Sequence, residues 1–256
     1  MDPDLDIRCD GGVLRLTMNR PAQLNALTAA MSDRLTDELE GAATRDDVRV
    51  VLVGGAGGAF CSGADLSGAD AHQNFDVTSL DRANRIIRAV TGLDKPVVAA
   101  VDGVAAGVGC STALACDLVV ASPRASFLLA FARIGLMPDG GATATVAASV
   151  GRARAMRMAL LGEALGAQET YDAGLVSHLA ADDFEGTVEA LVARLAAGPP
   201  LSYAATKKAV NAATLRHLHD ALERERTGQT ILLRTADVAE GMRAFGERRL
   251  PVFRGE

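Results

Sequence analysis

The sequence predicts an α/β fold built on a largely parallel sheet. Short runs rich in β-branched residues alternate with helical stretches through the first half of the chain, which is the pattern of βα units. Glycine-rich segments follow the predicted strands or precede a predicted helix. From Gly140 onward the pattern is helical almost throughout, which indicates a helical region at the carboxyl end.

Hydrophobic periodicity defines the first elements. Residues 13–19, VLRLTMN, read as a strand. Thr28 then precedes a helix over AAMSDRLTDELEGAA, in which Met31, Leu35 and Leu39 share one apolar face. VRVVLVGG follows as a buried strand, so the first βα unit is complete by Gly55.

Two further units repeat this order. DRANRIIRAVTGL is a predicted helix and PVVAAVDG a strand, and a helix from about Gly109 to Ala115 precedes the strand DLVVAS. Short extended pieces are expected near Phe127 and over residues 175–179. We predict an α/β core over residues 1–197 and a separate helical region over residues 198–256, which opens with Gly-Pro-Pro.

Composition and charge exclude several classes of protein. With 49% apolar and 23% charged residues the chain is typical of a soluble globular protein, and no segment is long and apolar enough to span a membrane. The net charge is -6 and basic residues are scattered, which argues against a nucleic-acid partner. The acidic start, MDPDLDIRCD, lacks the features of an export signal and predicts a cytoplasmic protein. The four cysteines lack CxxC spacing, so we interpret them as reduced core thiols and expect no metal.

Three glycine-rich segments are candidate ligand sites, because open α/β sheets bind ligands where strands end. They are GGAGGAFCSGADL (54–66), DGVAAGVGCS (102–111) and MPDGGAT (137–143). Val108 lies where a helix begins, so its N–H has no acceptor within the helix and is free to stabilise an oxyanion. The alternative interpretation is that these glycines only permit tight turns and close helix packing.

Five blocks occur in order along the chain: NRPAQLNAL (19–27), GGAFCSGADL (57–66), KPVVAAVDGVAAGVGCSTALACDLVVAS (95–122), IGLMPDGGAT (134–143) and EGMRAFGERRLPVF (240–253). Together they resemble the signature blocks of the crotonase superfamily, the enoyl-CoA hydratase/isomerase family. The resemblance implies a spiral of ββα units with a C-terminal helical trimerisation region, forming a homotrimer or a hexamer. It also implies an acyl-CoA thioester substrate, with no cofactor besides the coenzyme A that the substrate carries.

The resemblance also implies site residues. The N–H groups of Ala64 and Val108 would form an oxyanion hole. The acyl-CoA pocket would be lined near Ala22, Leu24, Ser62, Asp65, Leu66, Val104, Gly107 and Ser111. Phe245 resembles the residue through which the C-terminal helices help close the acyl pocket. Arginine forks suit the coenzyme phosphates, and Arg20, Arg248 and Arg249 are candidates, with a solvated surface charge as the alternative for each.

The chain departs from the hydratases at both of their glutamates, where it has Ser111 and Phe131. Neither side chain exchanges a proton unaided at neutral pH. Asp139 remains, at a position where some isomerases and dehalogenases of the superfamily carry a functional aspartate. A pocket made apolar by Phe131, Leu136 and Met137 would raise the pKa of its carboxyl. An aspartate before GGATATVAASV is also a natural helix N-cap, so base and cap both stay open.

The sequence therefore predicts an acyl-CoA enzyme, an isomerase or a lyase. The leading function is enoyl-CoA double-bond isomerisation, with Asp139 as base beside the Ala64 and Val108 oxyanion hole. One alternative is an enoyl-CoA hydratase of fatty acid metabolism that uses water held by Asp139 and Ser111, and another is a catalytically silent acyl-CoA-binding protein. Ser111 also lies in a near copy of the G-x-S-x-G nucleophile elbow, which leaves a serine hydrolase as a further alternative. Phe131 is expected to form an apolar pocket wall.

Overall fold

A computed structural model describes residues 4–66 and 76–256 of the chain. The strands are β1 (Leu5–Asp10), β2 (Val13–Met18), β3 (Val50–Gly55), β4 (Val97–Val101), β5 (Val104–Ala106), β6 (Leu118–Ala121), β7 (Ser126–Leu128), β8 (Leu165–Gly166) and β9 (His178–Leu179). The α-helices are α1 (Ala29–Gly41), α2 (Val77–Gly92), α3 (Val108–Ala115), α4 (Ala142–Leu161), α5 (Ala167–Asp172), α6 (Phe184–Ala196), α7 (Pro200–Thr214), α8 (Leu218–Leu232) and α9 (Ala236–Gly246). Short 3₁₀ helices span Pro21–Gln23, Ala42–Thr44 and Ala130–Ile134.

A six-stranded sheet in the order β1-β2-β3-β4-β6-β9 forms the centre of the fold. All its pairs are parallel except β1 with β2, which confirms the predicted α/β class. Alternate residues of β3 face opposite sides. Val51 and Val53 join the core that contains the apolar face of α1, whereas Val50 and Leu52 pack with Val188 and Val192 of α6.

A second sheet, in the order β5-β7-β8, is where the structure adds most to the prediction. Its strands are two or three residues long, too short for hydrophobic periodicity to reveal, and β5 and β8 were not expected. Strand β5 lies between Gly103 and Gly107, both at positive φ, so the chain turns sharply on each side of it. This short strand carries the chain from the central sheet into α3.

Three of the four cysteines are core residues. Cys61, Cys110 and Cys116 are buried, as expected of packing thiols. The prediction was wrong for Cys9, which is exposed because it lies on β1, the edge strand of the sheet that the described residues form.

Helices α7, α8 and α9 follow Gly198; α7 has no buried residue, whereas α8 and α9 pack back onto the core. Helix α8 packs against α2 and α4, and α9 against the 3₁₀ turn at 130–134. The α9 contact is close, since a Cβ built on Gly241 would lie 2.6 Å from the backbone carbon of Ile134. In the described part of the chain, no helix combines the length and apolarity needed to cross a membrane.

The turn at residues 20–27 depends on one buried side chain, that of Asn25. Asn25 adopts a positive φ of 57°, and its Oδ1 accepts from the Arg20 N–H at 2.8 Å. Its Nδ2 donates to the carbonyls of Ala56 and Ala59 at 2.9 and 2.7 Å. One amide group thus ties the turn to the segment that follows β3.

We expect Asn25→Ala to lower the free energy of unfolding by about 2–4 kcal/mol, because it leaves buried carbonyl groups unpaired and places alanine at a positive φ. Urea denaturation of wild type and variant measures this. Gln23→Ala, at an exposed neighbouring position, is the control and should leave the midpoint unchanged. An unchanged midpoint for Asn25→Ala would contradict the structural role given to its amide.

Candidate active site

Two glycine-rich loops meet at the edge of the central sheet. The Ala106 N–H donates to the Cys61 carbonyl at 2.8 Å, so the loop after β3 runs beside β5. Gly63 and Gly107 adopt φ values of +106° and +52°, and a Cβ built on Gly63 would lie 3.7 Å from Gly107 Cα. A side chain at either glycine would strain the backbone, and a Cβ on Gly63 would also crowd the Ala106 carbonyl oxygen at 3.1 Å.

The residues after these glycines, Ala64 and Val108, present free backbone donors. Within the described residues, no group accepts a hydrogen bond from either N–H, although Gly107 donates to the Leu128 carbonyl and Asp65 to that of Leu27. Val108 is the first residue of α3, so its N–H also carries the positive end of a helix dipole. Two such donors can hold a carbonyl oxygen that gains negative charge.

Both donors line a large open cavity of about 1510 Å³. This volume exceeds the roughly 300–1,000 Å³ of most small-molecule pockets, which suits a long ligand. The cavity lies between the 20–27 turn, α2, the start of α3, and α9. Its walls include most of the predicted site residues, namely Ala22, Leu24, Ser62, Asp65, Leu66, Val104, Gly107, Phe131, Phe245 and Arg248.

Asp139 contributes a buried carboxyl to the cavity. It is 4% exposed, its Oδ2 accepts from Gln229 Nε2 at 3.0 Å, and its Oδ1 has no hydrogen-bond partner in the described chain. Burial raises the pKa of this carboxyl to about 7, with a smaller upward contribution from the negative charge of Glu225 and an opposing one from the Gln229 hydrogen bond. The group is therefore poised to exchange a proton near neutral pH.

The interpretation of Asp139 as a helix N-cap is wrong. Helix α4 has Gly141 at its N-cap position, with no side-chain cap from that residue. The N–H groups of Gly141 and Thr143 donate instead to the Glu225 carboxylate of α8, at 2.7 and 3.0 Å. Gly140 and Gly141 both have positive φ, and this turn directs the Asp139 side chain away from the helix end.

Ser111 does not face the cavity, so the expectation that it contacts substrate or holds a water is corrected. It is fully buried on α3, and its hydroxyl donates to the Asp139 backbone carbonyl at 2.8 Å. The same bond speaks against a serine nucleophile. The hydrogen bond of Ser111 connects α3 to the loop that carries Asp139. A serine one turn into α3 points toward that loop and not into the cavity.

The other carboxylates on the cavity wall have partners. Asp65 forms an ion pair with Arg20 at 2.8 Å, Asp76 accepts from the Thr78 N–H at the start of α2, and Glu247 pairs with Arg249. These pairs also occupy two of the three arginines considered for coenzyme phosphates. Arg248 lines the cavity, and its guanidinium has no ion pair within the described residues.

Sequence reasoning missed Glu225 and Gln229, which lie about 90 positions after the loop that they contact. A signal was available in α8. Leu218, Ala221 and Leu222 form its buried face, and Glu225 and Gln229 continue that face at helical spacing. Polar residues at core positions of an amphipathic helix indicate buried partners.

Comparisons with known proteins agree with this geometry. The family profile described as enoyl-CoA hydratase/isomerase matches residues 8–256. The chain is 43% identical to a probable enoyl-CoA hydratase of Rhodobacter capsulatus, covering 95% of both chains, and 38% identical to the 1,2-epoxyphenylacetyl-CoA isomerase of Escherichia coli, covering 96% of both. A crystal structure of an enoyl-CoA hydratase from Mycobacterium avium subsp. paratuberculosis superimposes with a TM-score of 0.93, at 49% identity over 98% of each chain. With the crotonase fold and this match across nearly its whole length, the chain belongs to the enoyl-CoA hydratase/isomerase family.

Proposed function

We propose that this protein is an enoyl-CoA isomerase that moves a carbon–carbon double bond into conjugation with a thioester, using Asp139 as the base. The observation that carries the proposal is the buried carboxyl of Asp139, which shares a cavity with the N–H groups of Ala64 and Val108. Neither its Oδ1 nor these two N–H groups have a hydrogen-bond partner within the described ranges. The Escherichia coli relative, named an isomerase of an epoxide-bearing coenzyme A thioester, supports isomerisation of a thioester substrate in general.

The reaction needs one base and one oxyanion hole. The thioester oxygen of a 3-enoyl-CoA accepts from the Ala64 and Val108 N–H groups, which makes the proton on C2 more acidic. Asp139 Oδ1 removes that proton, and the electron pair of the C–H bond spreads over a dienolate. The carboxyl then returns the proton to C4, which yields the 2-enoyl thioester. The protein ends each turnover in its starting protonation state.

Hydration requires more free acid–base groups than the described residues of this cavity offer. A water must be held and activated, and a proton must be delivered to the neighbouring carbon, a task that two acid–base groups share in the hydratases this chain resembles. Phe131 is apolar, and the Ser111 hydroxyl donates to backbone. Hydration remains the competing reaction, because several relatives are named hydratases.

The proposed enzyme acts in the cytoplasm on fatty acyl thioesters and requires no cofactor besides the coenzyme A of its substrate. Its proposed assembly is a homotrimer or a dimer of trimers, and the apolar side chains that one chain leaves exposed support association between copies. Leu160, Leu161, Ile231 and Leu250 are each at least 60% exposed. Burying such side chains between copies would stabilise an oligomer.

A panel of 3-enoyl, 2-enoyl and ring-bearing thioesters separates the candidate reactions. We expect conversion of 3-enoyl to 2-enoyl substrate with no change in mass and with a rise in absorbance from the conjugated product. Gain of one water by 2-enoyl substrates would identify a hydratase. Binding of these thioesters without any product would identify a silent binding protein.

Replacing the proposed base gives a direct test. Asp139→Asn is expected to lower kcat for isomerisation by about 10²–10⁴-fold, the usual contribution of a general base, while acyl-CoA binding persists. Steady-state kinetics and calorimetric titration measure the two effects. Asp46→Asn makes the same chemical change at an exposed position and serves as the control. Isomerase activity that survives in Asp139→Asn would overturn the assignment.

The activity should depend on pH through the same carboxyl. Asp139 must be ionised to remove a proton, and its pKa of about 7 places the acid limb of kcat/KM near that pH. Activity is therefore expected to fall tenfold per pH unit well below the limb. A profile that stays flat down to pH values near 4, the ordinary range of an aspartate, would contradict this expectation.

One donor of the oxyanion hole can be deleted with little change to the fold. Val108 is the first residue of α3, a position that tolerates proline, and proline lacks the N–H. We expect Val108→Pro to lower kcat by about 10²–10³-fold. Ala236→Pro is the control, because it makes the same backbone change at the first position of α9, where the preceding cap residue Thr235 is extended and accommodates a following proline. Equal losses in the two variants would indicate a general effect of proline.

The buried carboxyl also predicts a link between stability and pH. Its pKa in the folded protein lies above the unfolded value, so the stability that the protonated form provides is complete below pH 4 and is lost as pH rises through about 7. Asp139→Asn should remove the free-energy cost of burying an ionised carboxyl. The variant is therefore expected to be more stable than wild type at pH 9 by a few kcal/mol, at about 1.4 kcal/mol per pKa unit, with little difference at pH 4. Urea unfolding at both pH values measures the difference.

A further inference from the structure

Helix α8 holds the loop that carries Asp139 through two buried side chains one turn apart. Glu225 and Gln229 are spaced i, i+4 and lie on the same face of the helix. They are 1% and 0% exposed, respectively. Glu225 binds the start of α4, and Gln229 binds the segment between Met137 and Asp139.

The orientation of the Gln229 amide follows from its partners. Its Oε1 accepts from the Met137 backbone N–H at 3.2 Å, and a backbone N–H can only donate. The oxygen of the amide must therefore face Met137, which places the NH₂ group against Asp139 Oδ2 at 3.0 Å. An amide flip would set NH₂ against N–H and oxygen against a carboxyl.

An amide NH₂ donates only, so Oδ2 of Asp139 must be an acceptor whether the carboxyl is ionised or protonated. We propose that Gln229 is a positioning residue that keeps Oδ2 as a permanent acceptor and thereby reserves Oδ1, which has no hydrogen-bond partner among the described residues, for the exchanged proton. The inference rests on the proposed function in one respect only, that the exchange serves catalysis. It assigns the two carboxyl oxygens different tasks.

The arrangement can be tested through the pKa of Asp139, on which two neighbouring side chains have opposite effects. Gln229 stabilises the ionised carboxyl by donating to it, so it lowers the pKa of Asp139, whereas the carboxylate of Glu225 raises it. Glu225 is the charged group on α8 that bears on Asp139. From α3, Ser111 contacts only its backbone carbonyl, and the cavity side contributes the apolar Phe131 and Leu136. Removing Gln229 or Glu225 should therefore shift the titration of Asp139 in opposite directions.

The test measures the carboxyl carbon of Asp139 by ¹³C NMR in the unliganded protein across pH, with the signal assigned by its loss in Asp139→Asn. Gln229→Met keeps the side-chain length and removes the donor, and we expect the titration midpoint to move up by about one pH unit. Glu225→Gln removes the negative charge, and we expect it to move down. The acid limb of kcat/KM should follow both shifts.

Matched controls lie on the surface. Gln168→Met breaks an exposed hydrogen bond between Gln168 and Asp172, and Glu223→Gln removes an exposed carboxylate from the same helix as Glu225. Both should leave the midpoint unchanged. Shifts of Gln229→Met and Glu225→Gln in the same direction, or no shift in either, would overturn the inference, because loosened packing does not produce opposite signs.

A second variant tests the inference if Gln229→Met does not fold. Gln229→Glu keeps an acceptor for the Met137 N–H and places a carboxyl against Oδ2, so the two carboxyls would share a proton and the upward shift should be larger. An unchanged midpoint in this variant would also overturn the inference. Opposite shifts without any isomerase activity would instead leave the positioning role intact and reject the proposed function.

Discussion

The close approach of two backbone segments is the constraint on which the site depends. The segment at 60–63 lies directly against β5, with the Phe60 and Cys61 N–H groups both donating to the Val104 carbonyl at 3.0 Å. A Cβ on Gly109 would lie 2.5 Å from the Cys61 carbonyl oxygen, so glycine is required there as well. Because the backbone groups of these two segments form hydrogen bonds with one another, the N–H groups that follow, at Ala64 and Val108, are left for a ligand.

The cysteines beside this contact are part of the packing. Burial raises the pKa of the Cys61 and Cys110 thiols to about 12, so both stay protonated near neutral pH. A neutral thiol adds no charge next to a developing oxyanion. The proposed oxyanion hole would therefore be built from backbone N–H groups, whose geometry the fold sets, and the two thiols beside it are uncharged.

Burial of the Asp139 carboxyl in the core costs desolvation free energy. An apolar side chain at this position would pack without a desolvation penalty, yet the chain buries a carboxyl with one oxygen unsatisfied. Helix α8 offsets part of this cost through the Gln229 hydrogen bond and holds the neighbouring helix start through Glu225. The C-terminal helical region thus takes part in the site through buried polar contacts as well as through Phe245 and Arg248 on the cavity wall.

The sequence by itself determined the α/β class, the main strands and helices, and the glycine positions where backbone must approach backbone, because these features are local and periodic. It also indicated Asp139 by leaving no other acid–base group at the expected positions. Only the tertiary structure decided that Asp139 is not a helix cap, that Ser111 binds backbone, and that Gln229 and Glu225 complete the surroundings of the carboxyl. These outcomes depend on which groups meet across 28 to 90 residues of chain, and a hydrogen bond between distant segments leaves no periodic trace in the sequence.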